Sequence, residues 1–249
     1  MEIYYHDEYL GNDHDTFGFR DGIIIQNLSD FKCLQNLEHL ELYYTSISNL
    51  EALKGLSKLE SLHIRSSSAI NLDAVADLKA LTSLSLSCEN ISDPDPVGKL
   101  VGLTDLRLYN LKIENLDFLQ NLHQLEWLFL DGSEISDLGK IASLSQLKRL
   151  SLGSCGIEDI SAVCTMLQLE RLDLPNNQIS DLTPLGGLAK LTHLNLASNM
   201  ISDISPLSSL NALEELNLAQ NNITDRSPLD NLKKLETIYL SGNPAAEDN

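Results

Sequence analysis

A pattern that recurs every 22 residues constrains this chain more than any other feature of its sequence. The pattern has the form LxxLxLxxxxI, and ten copies follow one another without an insertion between successive starts. The copies begin at Leu37, Leu59, Leu81, Leu103, Leu125, Leu147, Leu169, Leu191, Leu213 and Leu235. Such a repeat predicts a solenoid whose coils stabilise their neighbours, because a single coil cannot bury its apolar side chains alone.

Each repeat predicts a short strand followed by a tight return of the chain. In the copy that begins at Leu191, Leu194 and Leu196 alternate with polar residues, which is the period of a strand with one buried side. The later apolar residues are three apart, a spacing typical of a 3₁₀ turn and too short for a full α-helix. Stacked coils are therefore expected to form a parallel sheet and to bury the leucine rows as one continuous core.

A polar position follows the strand at the ninth residue of the repeat. The last four copies have asparagine there, at Asn177, Asn199, Asn221 and Asn243. A side-chain amide can donate to and accept from the backbone groups of a chain that is leaving a strand. The first six copies have other residues, namely Thr45, Ser67, Glu89, Leu111, Ser133 and Cys155. We expect an asparagine ladder in the last coils and less regular coils before it.

The repeats divide the chain into three segments. Residues 1–36 are predicted to form an N-terminal cap with a degenerate first repeat, because apolar residues between 25 and 34 match a copy that would begin at Asp15. Residues 37–244 hold the ten repeats, and residues 245–249 form a C-terminal tail without an amphipathic segment. The last coil is expected to stay open or to meet a partner or a second copy of the chain, which makes a homodimer an open alternative.

The net charge limits the classes of partner. Seventeen Lys and Arg against 36 Asp and Glu give a formal charge of −19, which repels phosphate backbones and anionic lipid head groups. No nucleic acid and no membrane surface is therefore expected as a partner. A basic protein would be attracted by the same field. The alternative is that the acidity only keeps a long surface soluble.

The cysteines and the first residues indicate a cytoplasmic protein. Cysteines without metal-ligand spacing predict reduced thiols, and they stand at Cys33, Cys88, Cys155 and Cys164. The opening segment, MEIYYHDEYLGNDHD, has no basic region followed by an apolar core, so no secretion signal is expected. No apolar run of about 18 residues occurs, so no membrane-spanning helix is expected either.

The segment from Asn177 to Leu210, NQISDLTPLGGLAKLTHLNLASNMISDISPLSSL, resembles the 22-residue subclass of leucine-rich repeats, most closely internalin-like bacterial repeats. The subclass also includes regulatory subunits of protein phosphatase 1. The resemblance implies an α/β fold, a right-handed curved leucine-rich-repeat solenoid with a parallel concave β-sheet and short 3₁₀ or turn-rich convex arms. It also implies that a partner protein binds the concave strands, as internalins bind host receptors and phosphatase regulators bind their enzyme.

The outward positions of the predicted strands hold the candidate binding residues. The only Trp, Trp127, stands beside Phe129, and aromatic and Arg side chains supply most of the energy of protein interfaces. The predicted partner-binding residues are Tyr43, His63, Arg65, Arg107, Tyr109, Trp127, Phe129, Asp131, Arg149, Arg171 and Asp173. The alternative at Trp127 is an intramolecular cation–π contact with Arg149, worth about 0.5–1 kcal/mol at an exposed site.

No pattern for catalysis or cofactor binding is recognisable in the sequence. We expect no enzyme, no catalytic residue and no cofactor, because an open repeat surface does not hold a nucleophile and its base in a pocket. A pairing of His39 or His63 with Ser85 or Cys88 is more simply a part of the binding surface. The His, Asp and Glu residues within 6–15 match no specific metal site, so no metal is expected.

The sequence thus favours a protein-binding module that engages a partner of basic charge on its concave face and acts as an inhibitor, immunity factor or adaptor. Two alternatives stay open. One is a structural solenoid that self-associates through its open C-terminal edge. The other is an internalin-like exported effector that binds a host protein.

Overall fold

The computed structural model describes residues 16–17, 34–45, 47–88, 90–91, 93–109, 111, 113, 115–135 and 137–244. Most of the predicted N-terminal cap, the acidic and histidine residues at 6–15 and the predicted tail at 245–249 lie outside the described residues. The chain forms two compact units. The first consists of Met1–Lys112 and Asp117–Leu125, and the second of Ile113–Leu116 and Glu126–Asn249.

In its described residues, the first unit contains five parallel strands that pair in chain order. They are β1 (Thr16–Phe17), β2 (His39–Thr45), β3 (Ser61–Ser66), β4 (Ser83–Ser87) and β5 (Asp105–Tyr109). From β2 onward, residues that lie opposite one another at the start of each strand are 22 positions apart, which confirms the predicted period. In β1, Thr16 lies opposite His39, whereas a copy that begins at Asp15 would place Phe17 there.

The second unit contains six parallel strands, again in chain order. They are β6 (Trp127–Phe129), β7 (Arg149–Ser151), β8 (Arg171–Asp173), β9 (His193–Asn195), β10 (Glu215–Asn217) and β11 (Thr237–Tyr239). Every pair is in a 22-residue register. Each coil thus contributes one strand at the position that the leucine alternation predicts.

Short 3₁₀ helices follow the strands, as the three-residue spacing predicts. The first unit has Glu51–Leu53, Asp73–Asp77, Asp95–Lys99 and Asp117–Asn121, and the second has Leu138–Ile141, Ser161–Thr165, Thr183–Leu185, Ser205–Ser209 and Ser227–Leu229. An Asp two residues earlier commonly fixes the start of the helix. Asp203, for example, accepts hydrogen bonds from the backbone N–H of Ser205 at 2.8 Å and from its hydroxyl at 3.0 Å.

The core consists of stacked aliphatic rows. Leu194 and Leu196 are buried, whereas His193 and Asn195 on the other side of the same strand are partly exposed. The same alternation holds in β3, β4 and β5. Each unit is therefore a stretch of parallel-sheet solenoid in which one side of the sheet is buried in the core, and most of the described residues of the other side are at least partly exposed.

The predicted asparagine ladder is present in the last four coils. The Nδ2 group of Asn199 donates to the carbonyl oxygens of Leu174 at 2.9 Å and Leu196 at 3.0 Å, and its Oδ1 accepts the N–H of Ile179 at 3.0 Å. Asn177, Asn221 and Asn243 repeat these bonds. Each buried amide thereby joins its own coil to the preceding one.

The two units differ in how the chain leaves the strand. In the second unit the strands have three residues, and a residue with positive φ stands just before the ladder position, at Gly132, Ser154, Asn176, Ser198, Gln220 and Gly242. In the first unit the strands from β2 to β5 have five to seven residues, and the non-glycine residues that the structure describes there have negative φ. Ser133 and Cys155 also replace the ladder asparagine after three-residue strands, so the longer strands go with the missing positive φ and not with the missing asparagine alone.

The residues that replace the ladder asparagine in the second unit, Ser133 and Cys155, make only a part of the hydrogen bonds that an asparagine makes. The Cys155 thiol lies 3.3 Å from the carbonyl oxygen of Leu130, which is the bond that an asparagine amide would make. The hydroxyl of Ser133 is buried without a hydrogen-bond partner among the described residues. The expectation of less regular early coils is confirmed in this respect.

The coil that begins at Leu59 departs from the predicted spacing. The pattern places an isoleucine at position 69, but Ala69 is exposed, and Ile70 is the buried residue that bridges to Ile91. The register between β2 and β3 also shifts just after Tyr43. The extra residue is absorbed in this turn, because the buried Leu72 is again 22 residues after the buried Leu50.

Candidate functional site

The outward side chains of β6 to β11 form a surface that we call the second-unit face. Trp127 and Phe129 stand on this face, both partly exposed, while Leu128 between them is fully buried. The sequence prediction that the single indole points away from the core is therefore confirmed. The strand alternation decides this orientation, since Leu128 occupies the inward position.

Trp127 contacts Arg149 on the next strand. The Arg149 guanidinium carbon lies 5.0 Å from the centroid of the indole ring, within the range of a cation–π interaction. The register of β6 and β7 places the two residues opposite each other. The intramolecular contact that the sequence left open as an alternative is thus present, and it holds both side chains on the open side of the sheet.

Asp131 has a structural role in addition to its predicted place in the binding set. Its Oδ1 accepts hydrogen bonds from the hydroxyl of Ser151 at 2.7 Å and from the N–H of Gly153 at 2.8 Å. A Cβ on Gly153 would lie 2.9 Å from that oxygen and 3.1 Å from Cγ of Pro175, so only glycine fits there without displacement. Asp131 therefore fixes the end of β7, a role that a pattern of outward positions does not reveal.

Arg171 and Asp173 form an ion pair along β8. The Nε of Arg171 donates to Asp173 at 2.7 Å and its terminal nitrogen donates at 3.3 Å. The hydrogen bond to Asp173 raises the pKa of Arg171. Both residues were predicted for the site, and the structure brings them together as a locally neutral pair.

The outward side chains of β2 to β5 form the first-unit face, and its centre is His63. The Nδ1 of His63 lies 3.6 Å from Oε1 of Glu41, and Nε2 lies 3.3 Å from the hydroxyl of Ser61 and 3.2 Å from that of Ser83. The order carboxylate, imidazole, hydroxyl is that of serine hydrolases. Both hydroxyls, however, approach one nitrogen, and 3.6 Å exceeds hydrogen-bond range, so we assign these contacts to placement of the ring.

Glu41 was absent from the predicted site residues, although it connects two of them. Its interaction with His63 lowers the pKa of Glu41. Burial, followed by the nearby Glu41 carboxylate, raises the pKa of Tyr43 to about 12. The signal was available in the sequence, because Glu41 stands one repeat before His63 at the same outward position.

The remaining predicted residues of the first-unit face are Arg65, Arg107 and Tyr109. Arg65 is exposed, and Arg107 and Tyr109 are half-buried on the outward side of β5. Arg107 donates two hydrogen bonds to Asp105, at 2.9 and 2.8 Å, and this pairing raises the pKa of Arg107. Asp105 is a second carboxylate that the sequence analysis did not select.

The strand faces carry little of the net charge. On the first-unit face, Arg65 and Arg107 balance Glu41 and Asp105. On the second-unit face, two arginines stand against three acidic residues, which are Asp131, Asp173 and Glu215. The large negative charge of −19 therefore resides almost entirely on other parts of the chain.

Metal-ligating clusters and membrane-spanning helices are both missing from the part of the chain that the structure describes. There, no three His, Cys, Asp or Glu side chains come together as a metal site. No helix of the described segments is long and apolar enough to cross a bilayer. Cys88 and Cys155 are buried free thiols, and burial raises the pKa of Cys155 to about 11, whereas Cys164 is exposed.

Known proteins resemble this chain in sequence and in fold. A family profile described as Leucine Rich repeats (2 copies) matches residues 168–209 and 211–248. An internalin (inlF) from Listeria monocytogenes is 31% identical with a TM-score of 0.75, and the match covers 92% of this chain and 73% of that one. Internalin C2 (inlC2) from the same species is 35% identical with a TM-score of 0.71, covering 75% of this chain and 83% of that one.

A leucine-rich-repeat protein from Leptospira interrogans shares the fold at 24% identity and a TM-score of 0.79, with 87% of this chain and 57% of that chain covered. Comparison with functionally curated proteins gives no match. The identity to two internalins over most of their length, the 22-residue register and the asparagine ladder agree with one another. The chain belongs to the internalin-like family of leucine-rich-repeat proteins.

Proposed function

We propose that this protein binds a partner protein on its strand faces, the concave side expected for this fold. The observation that carries the proposal is the outward position of Trp127, stacked with Arg149 and adjacent to Phe129. Folding gains little from an aromatic pair on the open side of a sheet, whereas desolvation of Trp and Arg by a partner supplies much of the energy of a protein interface.

The size of the face supports an interface that extends beyond the strands. Six strands at a spacing of about 4.8 Å, with three outward positions each, give a strip of roughly 24 by 13 Å on the second-unit face. This is roughly 300 Å², below the ~800 Å² that each partner of a standard interface buries. The turns beside the strands therefore have to contribute to a stable complex.

The net charge of the chain favours a partner protein of net basic charge, through attraction at long range. The chain as a whole carries −19, which accelerates the encounter with a positive protein at low salt. The strand faces are nearly neutral, so the contact itself depends on aromatic and hydrogen-bonding groups. Within this proposal the protein acts as an inhibitor, immunity factor or adaptor in the cytoplasm. The alternative with the same binding surface is an exported effector that binds a host protein.

Self-association is a second candidate function, favoured by the last strand. Ile238 and Tyr239 in β11 are 41% and 49% exposed, although Ile238 occupies an inward position of the repeat. Light scattering over a range of concentrations tests this candidate. Dimers that disappear in an Ile238→Lys variant would support it, and a monomer at all concentrations would reject it.

Capture of partner proteins tests the main proposal. The double variant Trp127→Ala, Arg149→Glu should reduce capture about tenfold or more, as expected for the loss of a hot spot of ~2 kcal/mol. The matched control is Met200→Ala, Arg226→Glu, which removes an exposed apolar residue and an exposed arginine away from the strand faces. Equal capture by the wild type and both double variants would exclude the second-unit face as the binding site.

A further inference from the structure

Arg149 differs from the other arginines of the strand faces in its partners. Arg107 and Arg171 each form an ion pair with an Asp two positions away on the same strand. The equivalent position next to Arg149 is Ser151, whose hydroxyl donates to Asp131. Within the part of the chain that the structure describes, no carboxylate lies within ion-pair distance of Arg149, which is exposed and contacts the Trp127 ring.

The carboxylates around Arg149 are already engaged. Asp173 accepts from Arg171, and Asp131 accepts from Ser151 and Gly153. Glu126, the residue before Trp127, forms an ion pair with Lys148 at 2.8 Å. Among the described residues of this part of the face, the positive charge of Arg149 is therefore the one that no neighbouring group neutralises.

Stacking on an aromatic ring prepares a guanidinium for a carboxylate. The ring contact orients the plane of the guanidinium, and the N–H groups at its edge remain able to donate two parallel hydrogen bonds. The partly exposed Trp127 lies opposite Arg149 on the adjacent strand, and the partly exposed Phe129 follows two residues later on the same side of the sheet. An acidic side chain flanked by apolar residues matches this arrangement in both charge and shape.

We propose, building on the protein-binding function above, that the Arg149–Trp127 pair is the receptor for a single Asp or Glu side chain of the partner protein. A carboxylate carries one charge and is matched by the single guanidinium of Arg149, whereas a phosphoryl group carries nearly two, so a part of its charge stays uncompensated beside a chain of charge −19. An open strand face also offers few contacts to a free small anion. The partner thus combines a basic surface at long range with one acidic side chain at the centre of the contact.

Immobilised peptides test this assignment even while the partner protein is unidentified. The probes have identical flanks of lysine and leucine and a central residue that is Glu, Gln or phosphoserine. The wild-type chain should be retained about fivefold more by the Glu peptide than by the Gln peptide, with the phosphoserine peptide below the Glu peptide. The Arg149→Gln variant should lose the difference between Glu and Gln.

Arg226→Gln is the matched control, because it removes the same charge as Arg149→Gln. Arg226 is exposed and lies away from the strand faces. The control should keep the preference for Glu. Fluorescence excited at the red edge of the absorption band, where tyrosine does not absorb, reports Trp127 alone, and an emission maximum that stays away from that of the unfolded chain verifies that both variants are folded. The proposal is overturned by equal or absent retention of the Glu and Gln peptides, by a preference that survives in Arg149→Gln, or by stronger retention of phosphoserine.

These outcomes separate the two proposals. Loss of partner capture in the Trp127 and Arg149 double variant, together with no preference for the Glu peptide, would leave the protein-binding function standing and reject the carboxylate receptor. A preference for the Glu peptide, together with unchanged capture by the double variant, would show that Arg149 binds a carboxylate but would reject the second-unit face as the place where the partner protein binds.

Discussion

The ladder asparagines show how single buried residues connect one coil to the next. Asn199 donates from one amide group to carbonyl oxygens of two successive coils, and its Oδ1 accepts from a third backbone group. These groups belong to chain segments that have just left the sheet, where no strand neighbour satisfies them. An asparagine fits because one short side chain carries both donors and an acceptor.

Replacement of Asn199 by Ala should destabilise the protein by about 1–3 kcal/mol, because the N–H of Ile179 loses its buried acceptor and the carbonyls of Leu174 and Leu196 each lose one of two amide donors. Urea unfolding followed by circular dichroism measures the change. Asn222→Ala is the matched control, since Asn222 follows the ladder residue Asn221 but is exposed, and its loss should change stability by less than about 0.5 kcal/mol. Similar losses in both variants would contradict the role of the ladder.

At the scale of elements, packing between 3₁₀ arms limits which residues the coils accept. The helix Asp95–Lys99 lies close to the next one, Asp117–Asn121, at Gly98. A Cβ built on Gly98 lies 2.6 Å from the backbone oxygen of Phe118. Backbone cannot rotate away as a side chain can, so a glycine is required for contact between these two arms.

Gly98→Ala should therefore cost about 1–3 kcal/mol, as for overpacking in a filled core. Gly187→Ala serves as the control, because a Cβ on Gly187 meets no atom within 4 Å and its φ is one that any residue adopts. This control should be neutral or slightly stabilising, since alanine restricts the unfolded chain. Thermal unfolding measures both, and a Gly98→Ala variant as stable as the wild type would show that the arms can separate freely.

The elements also show which parts of the structure the sequence could predict. Strand positions and the outward direction of Trp127 follow from leucine alternation, and the asparagine ladder follows from its fixed place in the repeat. The shift to Ile70 could not be predicted, because one extra residue in a turn leaves the count of 22 unchanged. The pairing of Arg107 with Asp105 and the bonds of Asp131 depend on side-chain conformations that a repeat pattern does not specify.

At the scale of the whole molecule, the strand faces and the net charge differ. The strand faces are nearly neutral, while the chain carries −19 with a sequence pI of about 4.5. Among the described residues, acidic side chains away from the strand faces include Asp181, Asp203 and Asp225, which precede successive 3₁₀ helices. Carboxylates that recur at the same position of successive coils repel one another along the solenoid.

Salt should therefore stabilise the folded chain near neutral pH. Raising NaCl from about 20 to about 200 mM shortens the screening length to about 7 Å and weakens repulsion between carboxylates of neighbouring coils, so the thermal midpoint should rise by a few degrees at about pH 7. At pH 4.5, where the net charge is close to zero, the same addition should have almost no effect. Scanning calorimetry at the two pH values measures this difference. A midpoint that falls with salt at neutral pH, or rises equally at both pH values, would mean that local ion pairs such as Lys148 with Glu126 outweigh the repulsion between the arms.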